Sequence, residues 1–208
     1  VVVLTVDLNS GSNRVMLGQY IRADDRDCSA CHSTHPDAWL ERKPMYDGTG
    51  ATIAGFDTPG MTWAFLERLK SATTMKVVVK GIVTAEDARS CLNHGADAVY
   101  VSNHGGRAEA SGRGAIESLP EVAAAIGGKV PLLVDSGFRG GTDIFKAIAL
   151  GADAVLVGRP YLYGLALDGQ RGTRRVMRTL VDELEEEVRK ARHRTHRTLS
   201  RSSLTRAR

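Results

Sequence analysis

The sequence predicts an α/β protein in which short parallel strands alternate with helices. Five runs rich in β-branched residues recur along the chain, and segments with helical periodicity separate the last four. The runs are Val1–Val6, Lys76–Val79, Ala98–Val101, Val130–Val134 and Ala154–Val157. Near-continuous apolar strands that alternate with helices are typical of βα units and of a buried parallel sheet. Because the last four strands recur every roughly 20–30 residues, the pattern predicts a (β/α)8 TIM barrel, of which five strands are visible.

Two of the predicted helices end in the same way. Each runs into the sequence Gly-Ala-Asp-Ala-Val, at residues 95–99 and 151–155. Glycine at a helix end favours a left-handed cap, after which the chain can enter the next strand at once. A later stretch, Arg174–Val188, carries apolar residues at helical spacing and predicts an amphipathic helix that closes the fold.

The segment at 15–60 differs from the rest of the first 188 residues. It has no clear hydrophobic periodicity and is much longer than an ordinary connection between elements. Long loops in compact folds are usually functional lids or disordered. Because this segment follows the first strand, on the side where barrels carry their active sites, we interpret residues 1–188 as one barrel-forming region with a lid-like insertion at 15–60.

Residues 189–208 form a basic tail. They contain eight Arg or Lys and no acid, which exceeds the net charge of +4 of the whole chain, so the rest of the chain is acidic overall. The tail has no apolar period, and this pattern predicts disorder. Because neither aromatic residues nor a basic body accompany the tail, nucleic acid is not an expected partner.

Composition narrows the class of protein further. No apolar stretch approaches the roughly 20 residues that a membrane-spanning helix needs. Three cysteines in 208 residues are too few, and odd in number, for a disulfide framework. We therefore expect a soluble protein of a reducing compartment, the cytoplasm.

Charged and polar side chains follow all five predicted strands. The strand ends read Thr5-Val6-Asp7, Lys80-Gly81, Ser102-Asn103-His104-Gly105-Gly106-Arg107, Asp135-Ser136-Gly137-Phe138-Arg139 and Gly158-Arg159. In an α/β barrel the active site is assembled just past the carboxyl ends of the strands. Charged groups at such positions must be solvated, paired with one another or bound to a ligand. We therefore predict a functional site at this edge of the sheet.

The motifs at these strand ends carry a family resemblance. They are Val79–Ala88, Val101–Arg107, Val134–Asp143 and Val157–Tyr161, in that order and spacing. Residues 61–188 resemble the C-terminal part of the FMN-dependent α-hydroxy acid oxidase and dehydrogenase family, which includes glycolate oxidase, lactate oxidase and flavocytochrome b2. The Leu4-Thr5-Val6-Asp7 run and the loop after it are similar to the family's fourth strand. The resemblance implies an incomplete TIM barrel, with about strands 4 to 8 present.

The resemblance implies roles for five catalytic and substrate-binding residues. His104 would take the proton of a small L-2-hydroxy acid, lactate-like or glycolate-like, as two electrons pass to FMN. Asp7 would accept a hydrogen bond from the imidazole and stabilise the imidazolium. Arg107 and Arg14 would bind the substrate carboxylate, since a guanidinium fork matches a carboxylate bidentately. Lys80 would lie beside the flavin edge on which reduction places negative charge.

The resemblance also implies how FMN is held. Thr5 and Ser102 would bond the flavin ring, and Asp135 the ribityl hydroxyls. The phosphate would be held by Gly137, Arg139, Gly158 and Arg159, near the strand ends that barrels commonly use for phosphate. The chain departs from the family where two consecutive arginines are usual, because it has Arg139-Gly140.

The first three strands of the family's barrel have no counterpart in this sequence. An open five-stranded sheet exposes edges and an unclosed core, so we expect a homo-oligomer or a chain that supplies the missing strands. Two alternatives to the oxidation of hydroxy acids stay open at this point. One is an inactive or interaction-only barrel fragment, and the other is a different flavin or nucleotide barrel enzyme anchored by phosphate. The electron acceptor is also left open.

A second motif lies within the lid-like insertion. Cys28-Ser29-Ala30-Cys31-His32 has the spacing that attaches c-type haem, with His32 as the axial ligand. Zinc bound by Cys28, Cys31 and His32 is a further alternative. The segment is short and poor in the apolar residues that would enclose a porphyrin. We therefore interpret it as a loop without a metal.

Overall fold

The computed structural model describes residues 1–7, 23, 25, 46–50, 61–108 and 111–205. Contacts divide the chain into two units, of which the first consists of Val1–Asp7 and Thr62–Arg208. This first unit contains every helix and strand named below. The second unit is Leu8–Met61. In its described part, the N–H and the hydroxyl of Thr49 both donate to the Tyr46 carbonyl, at 3.1 and 2.7 Å.

Several predictions for the second unit fall on residues that the structure does not describe. The lid-like insertion at 15–60 lies largely outside the described residues. So do Arg14 and the Cys28-Ser29-Ala30-Cys31-His32 motif. These predictions therefore stay predictions. Among the residues that are described, no group of three His, Cys, Asp or Glu could hold a metal ion.

Strands and helices alternate along the first unit. The described part contains β1 (Val2–Thr5), α1 (Trp63–Ala72), β2 (Val77–Ile82), α2 (Ala85–Asn93), β3 (Ala98–Val101), α3 (Ala115–Ile126), β4 (Leu132–Val134), α4 (Gly141–Ala149), β5 (Ala154–Val155) and α5 (Arg159–Lys190). All five predicted strands are present, each within a few residues of its predicted bounds. The predicted alternation of strands and helices is confirmed.

The five strands form one parallel sheet in the order β1-β2-β3-β4-β5. Sequence order equals spatial order because a helix returns the chain to the start of the next strand each time. In the described part, no strand covers the outer edge of β1 or of β5. Val3 in β1 is 48% exposed and Leu156 after β5 is 36% exposed. The sheet is therefore an open segment of a barrel wall.

The hydrophobic core lies mainly between the sheet and its helices. Side chains on the helix-facing side of β2, β3 and β4 pack with α1, α2 and α3, and they include Val77, Val79, Val99, Val101, Leu132 and Val134. The opposite face of the sheet carries a smaller cluster of Val78, Ala98 and Tyr100, with Leu133 packed against it. Both faces of the central strands are thus buried, as the near-continuous apolar runs predict.

Helix α5 is interrupted and packs through glycines. Asp168 and Gly169 leave helical geometry, so the helix consists of two segments. The segments cross where a Cβ on Gly172 would lie 1.9 Å from the Gly164 carbonyl oxygen, so neither position accommodates a side chain. In the second segment Leu180 and Val188 are buried, as the amphipathic pattern predicts. No helix in the described part of the chain is both long enough and apolar enough to span a membrane.

The two Gly-Ala-Asp-Ala-Val sequences form the same structure. Gly95 and Gly151 adopt left-handed conformations, with φ of 79° and 108°, as predicted for helix caps. The Asp97 carboxylate then accepts a hydrogen bond of 2.8 Å from the Val77 N–H at the start of β2. Asp153 accepts an equivalent 2.8 Å bond from the N–H of Leu132 at the start of β4. We call this arrangement the aspartate clasp, because it ties the strand after a helix to the strand before it.

The described part of the basic tail, for which the sequence predicts disorder, contains short turns. Beyond α5 the described part of the tail forms two 3-10 turns, His196–Thr198 and Arg201–Ser203, which contact α4. The His193 ring bonds to hydroxyl groups through both nitrogens, Nδ1 to Thr198 at 2.9 Å and Nε2 to Ser203 at 3.0 Å. Local side-chain hydrogen bonds of this kind order a segment without an apolar period, which is why hydrophobic patterning did not reveal the turns.

Asp97→Asn should lower the free energy of unfolding near neutral pH, and this loss of stability should depend on pH. Hydrogen bonds from Lys70, the Val77 N–H and Lys76 hold the pKa of Asp97 far below its usual value in the folded protein. A depressed folded-state pKa means that the carboxylate stabilises the fold above its unfolded-state pKa of about 4. That stability is lost as the pH falls through this value toward the folded-state pKa.

Urea unfolding measured between about pH 7 and pH 3 tests this prediction. We expect the Asp97→Asn variant to be less stable than the native chain near pH 7, with a difference that narrows as the pH falls below about 4. Asp153→Asn is the matched control, because it removes the equivalent clasp bond from a site where the described residues include no lysine partner. A constant difference across the pH range would contradict the assignment.

Candidate active site

The side chains predicted to be functional meet at the carboxyl edge of the parallel sheet. This edge carries a cavity of about 460 Å³. Its lining consists of Lys80, His104, Gly105, Arg107, Asp135, Ser136, Gly137, Phe138, Arg139, Leu156, Val157, Gly158, Arg159 and Leu162. Parallel strands end at the same edge, so residues distant in sequence converge there. Eight of the twelve predicted catalytic, substrate-binding and cofactor-binding residues line this one cavity, and Asp7 and Ser102 contact members of the lining.

His104 and Asp7 form a hydrogen-bonded pair. The distance from His104 Nδ1 to Asp7 Oδ1 is 3.1 Å, and the side chains are 22% and 7% exposed. Since an ionised carboxylate only accepts, Nδ1 carries the proton and Nε2 is left with a lone pair. The other carboxylate oxygen, Asp7 Oδ2, is buried without a hydrogen-bond partner among the described residues.

Gly81 makes room for the Asp7 side chain. It follows Lys80 at an irregularity in the pairing of β2 with β3, and its φ is 108°. A Cβ at this position would lie 2.7 Å from the Cβ of Asp7. Both the backbone conformation and the close approach therefore require glycine. Lys80 therefore places a cation in the cavity lining, and the adjacent Gly81 leaves space for the Asp7 side chain.

The turn after β3 holds His104 in a left-handed conformation. Its φ is 57°, which is uncommon for a residue other than glycine. The Asn103 carbonyl accepts from the N–H groups of Gly106 and Arg107, both at 3.0 Å, and the Asn103 amide donates to the Arg113 carbonyl at 3.1 Å. Asn103 is 7% exposed, so these bonds are shielded from water. The turn is therefore stiffened by a residue to which the sequence analysis assigned no role.

Lys80 lies in a compact polar network. Its Nζ donates to Ser102 Oγ at 2.9 Å and is 3.9 Å from Asp135 Oδ2. The same ammonium lies 5.4 Å from the centre of the Tyr100 ring, within cation–π range. The Tyr100 hydroxyl donates to Asp135 Oδ2 at 2.9 Å. Burial and the Asp135 carboxylate raise the pKa of Tyr100 well above its usual value, so the hydroxyl stays a donor.

The cavity lining includes an open, cationic region around Arg139 and Arg159, which we call the cationic end. Arg139 and Arg159 are both exposed there, and the Arg159 guanidinium donates to the Gly105 carbonyl at 3.0 Å. A Cβ on Gly158 would meet nothing within 4 Å, so the backbone is accessible to a ligand. By contrast, the first N–H groups of α4 are taken by the carboxylates of Asp143 and Glu183. An anion at this end would therefore meet the arginines and Gly158 rather than the start of α4.

The chemistry of the lining fits FMN. Four of the lining side chains are Lys or Arg and one, Asp135, is an acid, so the cavity favours an anionic ligand such as a phosphate ester. The apolar side chains Phe138, Leu156, Val157 and Leu162 offer surface to a ring system. Thr5 does not line the cavity, although it is paired in register with Lys80 in the sheet. Its predicted contact with the flavin ring therefore stays a prediction.

Two residues of the network were missed by sequence reasoning. Tyr100 lies within an apolar strand, where a tyrosine is most simply interpreted as part of the core. Ser136 lies between two predicted cofactor residues, Asp135 and Gly137, and no spacing rule distinguishes it. Only the structure brings both hydroxyls onto the Asp135 carboxylate, at 2.9 and 2.7 Å.

A parallel α/β sheet with a His–Asp pair and a cationic cavity at its carboxyl edge defines the class of phosphate-binding barrel enzymes. Within that class, the chain matches the model of the FMN-dependent dehydrogenase family over residues 1–206, and it belongs to this family. The predicted family resemblance is thereby confirmed. The family and its structures in complex with FMN also support FMN as the cofactor.

Individual relatives agree with this assignment. The chain is 45% identical over 127 residues to an L-lactate oxidase of Lysinibacillus sphaericus, a match that covers 61% of the chain and 33% of the relative. It is 52% identical over 127 residues to a peroxisomal (S)-2-hydroxy-acid oxidase of Oryza sativa subsp. japonica, covering 61% and 35%. A solved mandelate oxidase variant with a monooxide FMN adduct is 44% identical with a TM-score of 0.61, covering 66% of this chain and 44% of that one. The chain thus spans about a third of the length of the two curated relatives.

Proposed function

We propose that this chain forms the catalytic part of an enzyme that uses FMN to oxidise a small L-2-hydroxy acid to the 2-oxo acid. The observation that carries the proposal is the His104–Asp7 pair at the rim of a cavity that also holds Arg107 and Lys80. A base, a carboxylate-binding cation and a cation for developing negative charge are the three groups that this reaction needs. The names of the relatives, lactate oxidase and 2-hydroxy-acid oxidase, support the same substrate class.

His104 is the proposed general base. Because Nδ1–H is directed to Asp7, the imidazole presents Nε2 as the proton acceptor. The hydroxy acid would lose one proton to Nε2, and Asp7 would stabilise the imidazolium that results. Bound FMN would accept the two electrons and the second proton that the substrate loses, which leaves the 2-oxo acid.

Arg107 is the proposed carboxylate-binding residue. Its Nε donates to the His104 carbonyl at 2.9 Å, so the guanidinium and the base are held on the same turn. A substrate whose carboxylate is bound by this guanidinium carries its 2-hydroxyl one carbon away, close to the proposed base. We propose Arg14 as a second carboxylate ligand from the resemblance alone.

The cofactor would lie across the strand ends. Lys80, Ser102 and Thr5 are proposed to face the flavin ring, and Asp135 the ribityl hydroxyls. The phosphate would be held at the cationic end, by Gly137, Arg139, Gly158 and Arg159. Lys80 is paired with one carboxylate at 3.9 Å and one hydroxyl at 2.9 Å, so it supplies a fixed positive charge where negative charge develops on reduction.

We propose that retention of FMN requires more protein surface than the described part of this chain provides. Its sheet has two uncovered edges, with Val3 and Leu156 partly exposed. Further strands, or a second copy of the sheet, would cover these edges. We further propose a reducing compartment such as the cytoplasm. The buried free thiol of Cys91, whose pKa burial raises to about 12, is compatible with that environment.

His104→Gln should nearly abolish reduction of FMN by lactate or glycolate in the assembly that retains FMN. Loss of a general base typically costs about 10²–10⁴ in rate. Stopped-flow absorbance of the flavin under anaerobic conditions measures this rate. His94→Gln is the control, because His94 bonds Glu67 on the surface of α1 and α2, away from the cavity. Near-native flavin reduction in the His104→Gln variant would remove His104 from the role.

Arg107→Lys should weaken binding of the hydroxy acid far more than binding of FMN. An ammonium does not reproduce a bidentate guanidinium fork, and the bond to the His104 carbonyl is altered as well. Arg139→Lys is the matched variant, with the opposite expectation of weakened FMN and unchanged substrate binding. Titrations of FMN and of lactate against each variant separate the two effects. If Arg107→Lys releases FMN, Arg107 lies at the wrong end of the cofactor.

The isolated 208-residue chain should retain less than one FMN per chain as a monomer. Burial in an open sheet falls short of that in a closed barrel, and small margins decide stability. Light scattering coupled to gel filtration gives the oligomeric state, and flavin absorbance gives the stoichiometry. A monomer that carries one FMN and unfolds in one cooperative transition would contradict the proposal.

A further inference from the structure

Ser136 occupies a backbone conformation that serine rarely adopts. Its φ is 75°, in the left-handed region, directly before Gly137 at the end of β4. A side chain in this region carries a steric cost that glycine would not have. Such conformations persist where the surrounding structure holds them, and they cluster at functional sites.

The Ser136 hydroxyl makes two hydrogen bonds of defined direction. It donates to Asp135 Oδ1 at 2.7 Å and accepts from the Gly105 N–H at 2.9 Å. An ionised carboxylate has no proton to give, so the hydroxyl proton must point to Asp135. The lone pairs of Ser136 Oγ are then left for the Gly105 N–H. The hydroxyl thus connects the end of β4 with the turn after β3.

The Asp135 carboxylate, to which Ser136 donates, makes further contacts through its second oxygen. The second oxygen of Asp135, Oδ2, accepts from the Tyr100 hydroxyl at 2.9 Å and lies 3.9 Å from Lys80 Nζ. Tyr100 is 6% exposed and belongs to β3, so its hydroxyl is fixed by the sheet. The Asp135 carboxylate that accepts from Ser136 is therefore also held by the Tyr100 hydroxyl and lies near the Lys80 ammonium.

The peptide that Ser136 holds is the one between His104 and Gly105. The Gly105 N–H and the His104 carbonyl belong to the same planar unit. Ser136 binds the N–H side of this unit, and Arg107 Nε donates to the carbonyl side at 2.9 Å. Rotation of the peptide would therefore move the backbone of His104 and the partner of the Arg107 guanidinium together.

We propose that Ser136 is a positioning residue that orients the His104–Gly105 peptide, and through it the base and the carboxylate-binding guanidinium. This inference rests on the proposed function of His104 and Arg107. Ser136 itself exchanges no proton with substrate in this assignment. Its role is to link the residue proposed for the ribityl chain, Asp135, to the turn that carries the proposed base.

Two substitutions separate positioning from a merely structural role. Ser136→Ala removes the hydroxyl and keeps the strained backbone, whereas Ser136→Gly removes the hydroxyl and relieves the strain. Both variants lose the hydrogen bonds of the hydroxyl and only alanine keeps the strain, so Ser136→Gly should unfold at a higher temperature than Ser136→Ala. Arg192→Gly is the matched control, because Arg192 also has a positive φ, 58°, and lies in the tail.

The measurements are hydrogen exchange at the Gly105 amide and the rate of flavin reduction by lactate, both in the FMN-loaded assembly. We expect the Gly105 amide to exchange about three to ten times faster in both Ser136 variants. We also expect slower flavin reduction in both variants, and native values for Arg192→Gly. Native exchange in either Ser136 variant, or a Ser136→Gly variant that reduces flavin at the native rate, would overturn the proposal. Failure of the proposed function would instead appear as native flavin reduction in His104→Gln.

Discussion

The parallel alignment of the strands is the constraint on which the site depends. In a parallel sheet every strand ends at the same edge, so the residues that follow β1 to β5 are brought together although residues 6–153 lie between the first strand and the last. His104 reaches Asp7 across 97 positions of sequence, and Arg159 reaches Gly105 across 54. No local turn could make these contacts. The helices between the strands are needed mainly to return the chain to the starting edge each time.

The edge divides into two regions of different character. Around Asp7 and Asp135 the side chains are largely buried, and each carboxylate faces a specific partner that comes from the next strand but one in the sheet. Around Arg139 and Arg159 the guanidinium groups are exposed, and the backbone is open at glycine. Buried, paired charges hold a fixed geometry at a cost in solvation, whereas exposed cations are free to meet an incoming anion. The arrangement suits a ligand with reactive chemistry at one end and a phosphate at the other.

Much of this arrangement could be predicted from the sequence. Apolar runs indicated all five strands, and the residues directly after them indicated the edge at which His104, Lys80 and Arg107 meet. The other contacts of the site depend on tertiary structure, which hydrophobic periodicity does not predict. Tyr100 alternates like a core residue and still reaches Asp135, since a strand's inner face runs up to the site. The strained conformation of Ser136 cannot be inferred from the residue type. The turns of the tail are held by hydrogen bonds between hydroxyl groups and His193 rather than by hydrophobic burial.

The aspartate clasps bear on how such a fold assembles. Asp97 joins residues 20 positions apart, and Asp153 joins residues 21 positions apart, so each clasp closes one strand–helix–strand unit over a short length of chain. The entropic cost of closing a loop grows with its length, and contacts between near neighbours in sequence form fastest. Two such units, β2-α2-β3 and β4-α4-β5, can therefore close independently of the strands that flank them. Docking the two units side by side, with β3 against β4, is then the step that creates the junction between the Asp135 carboxylate and the turn that carries His104.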